Sequence, residues 1–200
     1  MGRMQDRVFA ATWKRMARHE GPALTRLRRE ALAGASGRVL EIGVGSGSNW
    51  PFLPDGIEYT GIEPNPFLLE ASRARAREQR LTFQIAAADV ERLPFEDGSF
   101  DTVLSTLTFC SVAHATRGLS EIHRVLKPGG QFLFLEHVRS RNGVAAGAQT
   151  LLKPITRSLG GGCEWDRDTL RRIQRAGFTT VVSRRRRMAM LPVELGRAVR

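Results

Sequence analysis

From residue 38 onward, short apolar runs alternate with polar segments long enough to form helices. Two of these helix-length segments span residues 66–80 and 116–126. The apolar runs predict five strands, at residues 39–42, 58–62, 82–86, 102–106 and 131–135. Strands that alternate with helices at this spacing are typical of βαβ units in a parallel sheet.

The rest of the chain extends this pattern at both ends. Near the start, Phe9, Trp13 and Met16 share one face at helical spacing, and Pro22 suits the first turn of a second helix. After the fifth strand we predict two helices and two strands, at residues 144–159, 167–176, 178–183 and 193–199.

We therefore expect one Rossmann-like α/β domain over residues 1–200, with a seven-stranded, mostly parallel sheet and helices on both faces. Residues 1–35 would form N-terminal lid helices. Residues 36–138 would be the cofactor-binding core, and residues 139–200 the substrate-side helices and last two strands.

Charge and composition limit the classes of partner that this chain can have. The net charge is +11, yet 28 of the 31 basic residues are arginines, they are spread along the chain, and no aromatic residues interleave with them. We therefore expect no nucleic-acid partner. With neither an apolar run that could span a membrane nor a signal peptide, we expect a cytoplasmic protein, with peripheral membrane contact left open.

Cys110 and Cys163 lie far apart in sequence without metal-ligand spacing, so we expect free thiols and no metal site.

The first strand leads into a glycine-rich loop, and the cofactor residues predicted there are Glu41, Gly43, Gly45, Gly47 and Asn49. Glycines let the backbone turn sharply and approach a ligand closely. The spacing is GxGxG rather than the GxGxxG of nicotinamide-binding folds. A carboxylate in this position would repel a pyrophosphate but attract an amino group or a sulfonium. S-adenosylmethionine carries both cations and no phosphate, so we expect it as the cofactor.

The second and third strands also end in acidic residues. Glu63, followed by Pro64 and Asn65, can accept hydrogen bonds from both ribose hydroxyls. Asp89 can accept a hydrogen bond from an adenine amine, with Val90 against the ring. Helix capping is the alternative role for each acid.

The fourth and fifth strands supply the side of the pocket that faces the acceptor. Thr106 and Leu107 are predicted to line the methyl-donor side. His137 is the candidate catalytic base, because an imidazole titrates near neutral pH; a structurally paired histidine is the alternative. The predicted substrate contacts are Trp13, Cys110, Glu136 and Trp165.

Together these motifs resemble the class I methyltransferases, whose cofactor signatures the glycine loop, Glu63, Asp89 and the turn at residues 127–130 match. Residues 38–138 are similar to the quinone-biosynthesis C-methyltransferases and the bacterial phosphatidylethanolamine N-methyltransferases. A closer resemblance, to the methyltransferase-like proteins that methylate alkyl thiols, rests on residues 63–66, 107–112, 136–138, 162–163 and 196–200. Those proteins carry an apolar N-terminal membrane anchor, which this sequence does not show.

The resemblance implies an enzyme that methylates a small molecule, with S-methylation of a thiol as the first hypothesis. C-, O- or N-methylation of an aromatic, quinone-like or phospholipid acceptor is the alternative. A binding module without catalysis and an RNA methyltransferase are further alternatives. The sequence predicts neither the oligomeric state nor the identity of the acceptor.

Overall fold

Seven strands form one sheet in the computed structural model, which describes residues 3–159, 162–188 and 191–200. The strands are β1 (Arg38–Ile42), β2 (Glu58–Ile62), β3 (Gln84–Ala86), β4 (Phe100–Thr106), β5 (Leu126–His137), β6 (Thr180–Met188) and β7 (Leu191–Val199). Their order is β3-β2-β1-β4-β5-β7-β6. Six strands run in one direction and β7 alone runs in the opposite one, so the predicted mostly parallel sheet is confirmed.

Six α-helices accompany the sheet within the described residues. They are α1 (Arg3–Arg18), α2 (Pro22–Leu32), α3 (Pro66–Glu78), α4 (Ala115–Val125), α5 (Gly143–Leu159) and α6 (Thr169–Gln174). A short 3-10 helix, Trp50–Phe52, follows the glycine loop. No helix in the described ranges is long and apolar enough to cross a membrane.

The buried strands carry apolar side chains toward both faces of the sheet, because successive side chains point to opposite sides. On β1, Leu40 packs in the cluster that contains Leu119 of α4. Its neighbour Val39 packs in a second cluster, with Leu32 of α2. The helices therefore cover the sheet on both faces, as the apolar runs predict for a parallel sheet.

The two last strands are longer than the sequence predicts. We expected a strand to end at residue 183, but β6 continues to Met188 through a run of arginines, and β7 begins at Leu191 rather than residue 193. The arginines are tolerated because β6 is an edge strand, where Arg185 pairs with Glu194 at 3.2 Å.

Gly196 in β7 lies where the sheet leaves no room for a side chain. A Cβ there would collide with the Val182 carbonyl oxygen and approach Phe134 Cζ to 2.8 Å. We expect Gly196→Ala to lower the free energy of unfolding by about 1–3 kcal/mol, because backbone atoms cannot yield to an added methyl. Urea unfolding measures this loss. The control is Gly147→Ala in α5, where a Cβ meets nothing within 4 Å; equal losses in the two variants would contradict the packing.

Candidate active site

The chain leaves β1 at the point where the strand order reverses, since β2 lies on one side of β1 and β4 on the other. In open parallel sheets, ligands bind outside the carboxyl ends of the strands at such a point. The predicted glycine loop occupies this place. The backbone N–H groups of Gly43 and Val44 both donate to the Ile62 carbonyl, at 2.9 and 3.1 Å, which fixes the start of the loop against β2.

The loop needs its glycines for two reasons. Gly43, Gly45 and Gly47 have φ angles of +69°, +59° and +77°, a region that other residues rarely adopt. A Cβ would also collide with neighbours, at 2.7 Å from the Thr108 side chain for Gly43 and 2.8 Å from Trp13 Nε1 for Gly45. The loop is thus a close-packed cradle between the β4 end and α1.

Glu63, at the end of β2, ties this cradle to α3. One carboxylate oxygen accepts from the Gly45 N–H at 2.8 Å, and the other accepts from the Asn65 N–H at 2.9 Å. Burial raises the pKa of Glu63, and the two N–H donors oppose that rise. Asn65 in turn caps α3 by accepting from the Phe67 and Leu68 N–H groups, while Pro64 is exposed. The predicted cofactor carboxylate therefore lies against the glycine loop.

Glu41 is the centre of a buried polar network. Its oxygens accept from Asn49 Nδ2 at 2.8 Å and from the Tyr59 hydroxyl at 2.5 Å. Asn49 Oδ1 and Thr106 Oγ1 each accept from Arg28 Nη1 at 2.8 Å. Since both Glu41 oxygens are bonded within the protein, we expect Glu41 to act on a cofactor cation through its charge rather than by direct contact.

Sequence reasoning missed Arg28 and Tyr59. Arg28 is only 2% exposed and pairs with Glu20 at 2.6 Å. The sequence feature that indicates its burial is spacing, because Arg28 lies with Leu27 and Ala31 on the buried face of α2. A basic residue at core-facing spacing indicates a buried ion pair, because burying an unpaired charge is costly.

Burial raises the pKa of Glu41 from 4.5 to about 7, although Tyr59, Asn49 and Arg28 all act to lower it. The folded chain therefore holds a proton that the unfolded chain releases. This contribution to stability is full below pH 4.5 and is lost as the pH rises through 7.

We expect Glu41→Gln to remove that dependence. When the pH rises from 5 to 8, the free energy of unfolding should fall by about 3 kcal/mol more in the wild type than in the variant. Urea unfolding across this range measures the difference. Glu78→Gln, at an exposed position of α3, is the control and should follow the wild type. Parallel curves for Glu41→Gln and the wild type would contradict the raised pKa.

Helix α1 packs against the glycine loop, and its role as a lid stays a prediction. Trp13 reaches Gly45, and Asn65 Nδ2 donates to the Asp6 carbonyl at 3.1 Å. Trp13 thus lies at the cofactor loop, and its predicted substrate contact stays a prediction. We call the region of Cys110, His137 and Trp165, where the other predicted substrate contacts lie, the acceptor end.

Asp89 and Val90, the predicted adenine contacts, lie in a turn after β3. Asp89 is exposed, and its Oδ1 accepts from the Glu91 N–H at 2.9 Å, as a turn residue does. Val90 is buried in the core, where it contacts Gly118 of α4. Val90 is thus held in the core and Asp89 is open to solvent, and the adenine contacts proposed for both stay predictions.

The loop after β4 is shaped by Glu136, which we predicted to contact substrate. Glu136 is 0% exposed, and its carboxylate accepts from Ser105 Oγ, Thr108 N–H and Phe109 N–H at 2.7–3.1 Å. Glu136 thus has a structural role in this loop, and its predicted substrate contact stays a prediction. Leu107, at the start of this loop, has a φ angle of +57°. Its N–H donates to the Leu135 carbonyl at 2.7 Å.

At the acceptor end, His137 and Cys110 meet a residue that the sequence did not place there. Cys163 Sγ lies 3.0 Å from Cys110 Sγ, so the two free thiols are adjacent although 53 residues separate them. His137 is buried, and its ring centroid lies 6.3 Å from that of Trp165. Burial acts to lower the pKa of His137, but the neighbouring Cys110 and Glu136 outweigh it and raise that pKa overall.

The sheet, the cradle and its acidic residues define a class I methyltransferase. The family described as "Methyltransferase domain" matches residues 40–134. The chain is 35% identical over 182 residues to the human thiol S-methyltransferase TMT1B, covering 86% of this chain and 75% of that protein.

A methyltransferase from Thermotoga maritima shares the fold, with a TM-score of 0.70 at 23% identity over 97% of both chains. The [4+2]-cyclase SpnF also shares it, with a TM-score of 0.64 at 25% identity over 80% of this chain and 58% of that one. The chain belongs to the S-adenosylmethionine-dependent methyltransferase family. It uses S-adenosylmethionine as methyl donor and releases S-adenosylhomocysteine.

The residues present fit this donor. Glycines with positive φ let the loop backbone approach a ligand closely, and the carboxylates of Glu63 and Glu41 lie beside the loop, where the nearby Arg28 and Arg75 are already bonded within the protein. This donor set suits a ligand that carries an amino group and a sulfonium, and it would repel a dinucleotide pyrophosphate.

Proposed function

We propose that this methyltransferase transfers the methyl group to the sulfur of a small apolar thiol. The observation that carries the proposal is the make-up of the acceptor end. Cys110 and Cys163 are buried there beside His137, and Trp165 supplies an aromatic wall. The likeness to TMT1B, a thiol S-methyltransferase, supports the same acceptor.

Position accounts for most of the expected rate enhancement. When bound, the cofactor supplies an electrophilic methyl group on a sulfonium. The chain must then hold the acceptor sulfur in line with that methyl group and exclude water. The contact between Gly43 and Thr108 brings the loop that carries Cys110 against the cofactor cradle, which places the acceptor end beside the donor end.

The acceptor thiol must also lose its proton. A thiol needs little help, because its pKa near 8.5 leaves a few per cent of thiolate at neutral pH. Among the described residues, His137 is the group at this end of the sheet that can accept the proton. Neither of its ring nitrogens has a hydrogen-bond partner of its own.

A second candidate function is C-methylation of a quinone precursor. Over 110 residues, 54% of this chain, the sequence is 36% identical to a demethylmenaquinone methyltransferase from Deinococcus radiodurans. That match covers 46% of the relative. The match to TMT1B covers 86% of this chain and 75% of that protein, so the shorter match to the quinone enzyme bears less on the acceptor.

An isosteric panel separates these functions. Thiophenol, phenol and aniline differ in the nucleophilic atom alone, and a naphthoquinol adds the carbon acceptor. Methylated products are identified by mass spectrometry at saturating S-adenosylmethionine. We expect turnover of thiophenol at least about 100-fold above that of phenol, since the thiol ionises near neutral pH. Turnover of the naphthoquinol with none of thiophenol would discard the thiol and support C-methylation.

A further inference from the structure

Three buried side chains from separate parts of the chain converge at the acceptor end. Cys110 follows β4, His137 ends β5, and Cys163 follows α5. Their ligand atoms all lie within 4.8 Å of one another, and the two sulfur atoms are 3.0 Å apart. Two sulfurs and one imidazole nitrogen are ligands that zinc prefers in proteins.

His137 is the observation that points to a ligand. Its side chain is 8% exposed, and neither Nδ1 nor Nε2 has a hydrogen-bond partner. Buried polar groups are nearly always partnered, so an imidazole aimed at two sulfurs without a hydrogen bond calls for an explanation. A disulfide between the cysteines would leave this imidazole unpartnered, whereas a metal ion would satisfy it and both sulfurs together.

Charge and geometry are compatible with such an ion. Two thiolates and one divalent cation are neutral in sum, so the group can be buried without a net charge. In a tetrahedral site with Zn–S distances of ~2.3 Å, the sulfurs lie ~3.8 Å apart. The two sulfur atoms, now 3.0 Å apart, would therefore need to move apart by only about 0.8 Å.

The two cysteine segments are already held together without an ion. The Glu164 N–H donates to the Cys110 carbonyl at 2.8 Å. Arg167 Nη1 donates to the Phe109 carbonyl at 3.0 Å and to the Val112 carbonyl. These hydrogen bonds, from the Glu164 backbone and the Arg167 side chain, bring Cys163 to Cys110 without a bond between the sulfurs, so the ligand positions are organised in advance.

We propose that Cys110, His137 and Cys163 bind a zinc ion whose fourth position takes the sulfur of the acceptor. The second half of this proposal rests on the proposed thiol function. Three protein ligands with an open position are the arrangement of catalytic zinc sites, and the described residues offer no fourth ligand in this cluster.

Coordination changes how the acceptor loses its proton. The thiol binds the ion as a thiolate and its proton goes to solvent, so His137 serves as a ligand and not as the base. The sulfur electron pair then forms the new C–S bond while the sulfonium C–S bond breaks. The products are a neutral thioether, which binds the metal weakly and leaves, and S-adenosylhomocysteine.

The test is a metal titration of reduced, metal-free, full-length protein. Zinc is added in competition with a chromophoric chelator, and cobalt is used for spectroscopy. We expect one equivalent of zinc and a thiolate-to-cobalt charge-transfer band. Cys110→Ser and Cys163→Ser should each weaken zinc binding by ~100-fold or more, and His137→Gln by ~10- to 100-fold. The matched control, His19→Gln at an exposed histidine, should bind as the wild type does.

Folding is checked by circular dichroism, and conclusions are drawn from variants that keep the wild-type spectrum. If each single cysteine variant unfolds, the reduced wild type alone decides through its stoichiometry and its cobalt band. Folded, reduced wild type that binds no stoichiometric zinc would overturn the site. So would a Cys110–Cys163 disulfide in protein purified under air with zinc present, seen as a loss of two hydrogens in the mass.

Addition of thiophenol to the cobalt form separates the two halves of the proposal. We expect the cobalt spectrum to change with thiophenol and not with phenol. An unchanged spectrum in an enzyme that methylates thiophenol would overturn the open position while the proposed function stands. A changed spectrum without methylation would leave the metal site standing and overturn the proposed function.

Discussion

Arg28→Met is expected to lower the free energy of unfolding by about 3–5 kcal/mol, because it leaves a buried network without its only cation among the described residues. Arg28 donates to Glu20, Asn49 and Thr106, and its charge also stabilises ionised Glu41. Methionine fills similar volume but donates no hydrogen bond. Urea unfolding at neutral pH measures the loss.

The control for this change is Arg26→Met, which removes an exposed arginine from the same helix. We expect it to stay within about 0.5 kcal/mol of the wild type. The pH dependence provides a second readout, since removal of Arg28 should raise the pKa of Glu41 further. A loss below 1 kcal/mol with an unchanged pH profile would show that Arg28 does not hold this network.

Glu63→Gln is expected to weaken S-adenosylhomocysteine binding by about 100-fold, or ~2.7 kcal/mol. The carboxylate accepts from the backbone N–H groups of Gly45 and Asn65, and an amide can replace only one of these acceptors. The substitution also removes the acceptor that we propose for the ribose hydroxyls. Calorimetric titration measures the change in Kd.

Glu58→Gln is the matched control, because Glu58 begins the same strand but is exposed, with its carboxylate 3.4 Å from Arg38. Its affinity should match that of the wild type. Equal affinity in Glu63→Gln and Glu58→Gln would remove Glu63 from the cofactor site.

Much of the fold followed from the sequence, because buried parallel strands are nearly continuous apolar runs. The runs at 39–42 and 58–62 matched β1 and β2 to within a residue, and the helices α1 and α2 were predicted from apolar spacing and Pro22. The arginine-rich end of β6 was not predicted as strand, because strand pairing at an edge depends on β7, a partner that local sequence does not reveal.

The glycine loop was placed correctly beside the carboxyl ends of the strands, because its position follows from strand order. Individual side-chain roles were harder to predict. A carboxylate looks the same in sequence whether it faces a ligand or holds a loop, and Glu136 holds the loop after β4. The approach of Cys163 to Cys110 depends on hydrogen bonds from Glu164 and Arg167, contacts over more than 50 residues that no spacing rule contains.

We expect the carboxyl edge of this sheet to bind S-adenosylmethionine and no dinucleotide. The most direct test is calorimetric titration of the wild-type chain with S-adenosylhomocysteine, with NAD as the contrasting ligand. We predict one site for S-adenosylhomocysteine and no measurable binding of NAD, since Glu41 and Glu63 repel a pyrophosphate. Binding of NAD, or no binding of S-adenosylhomocysteine, would contradict the account.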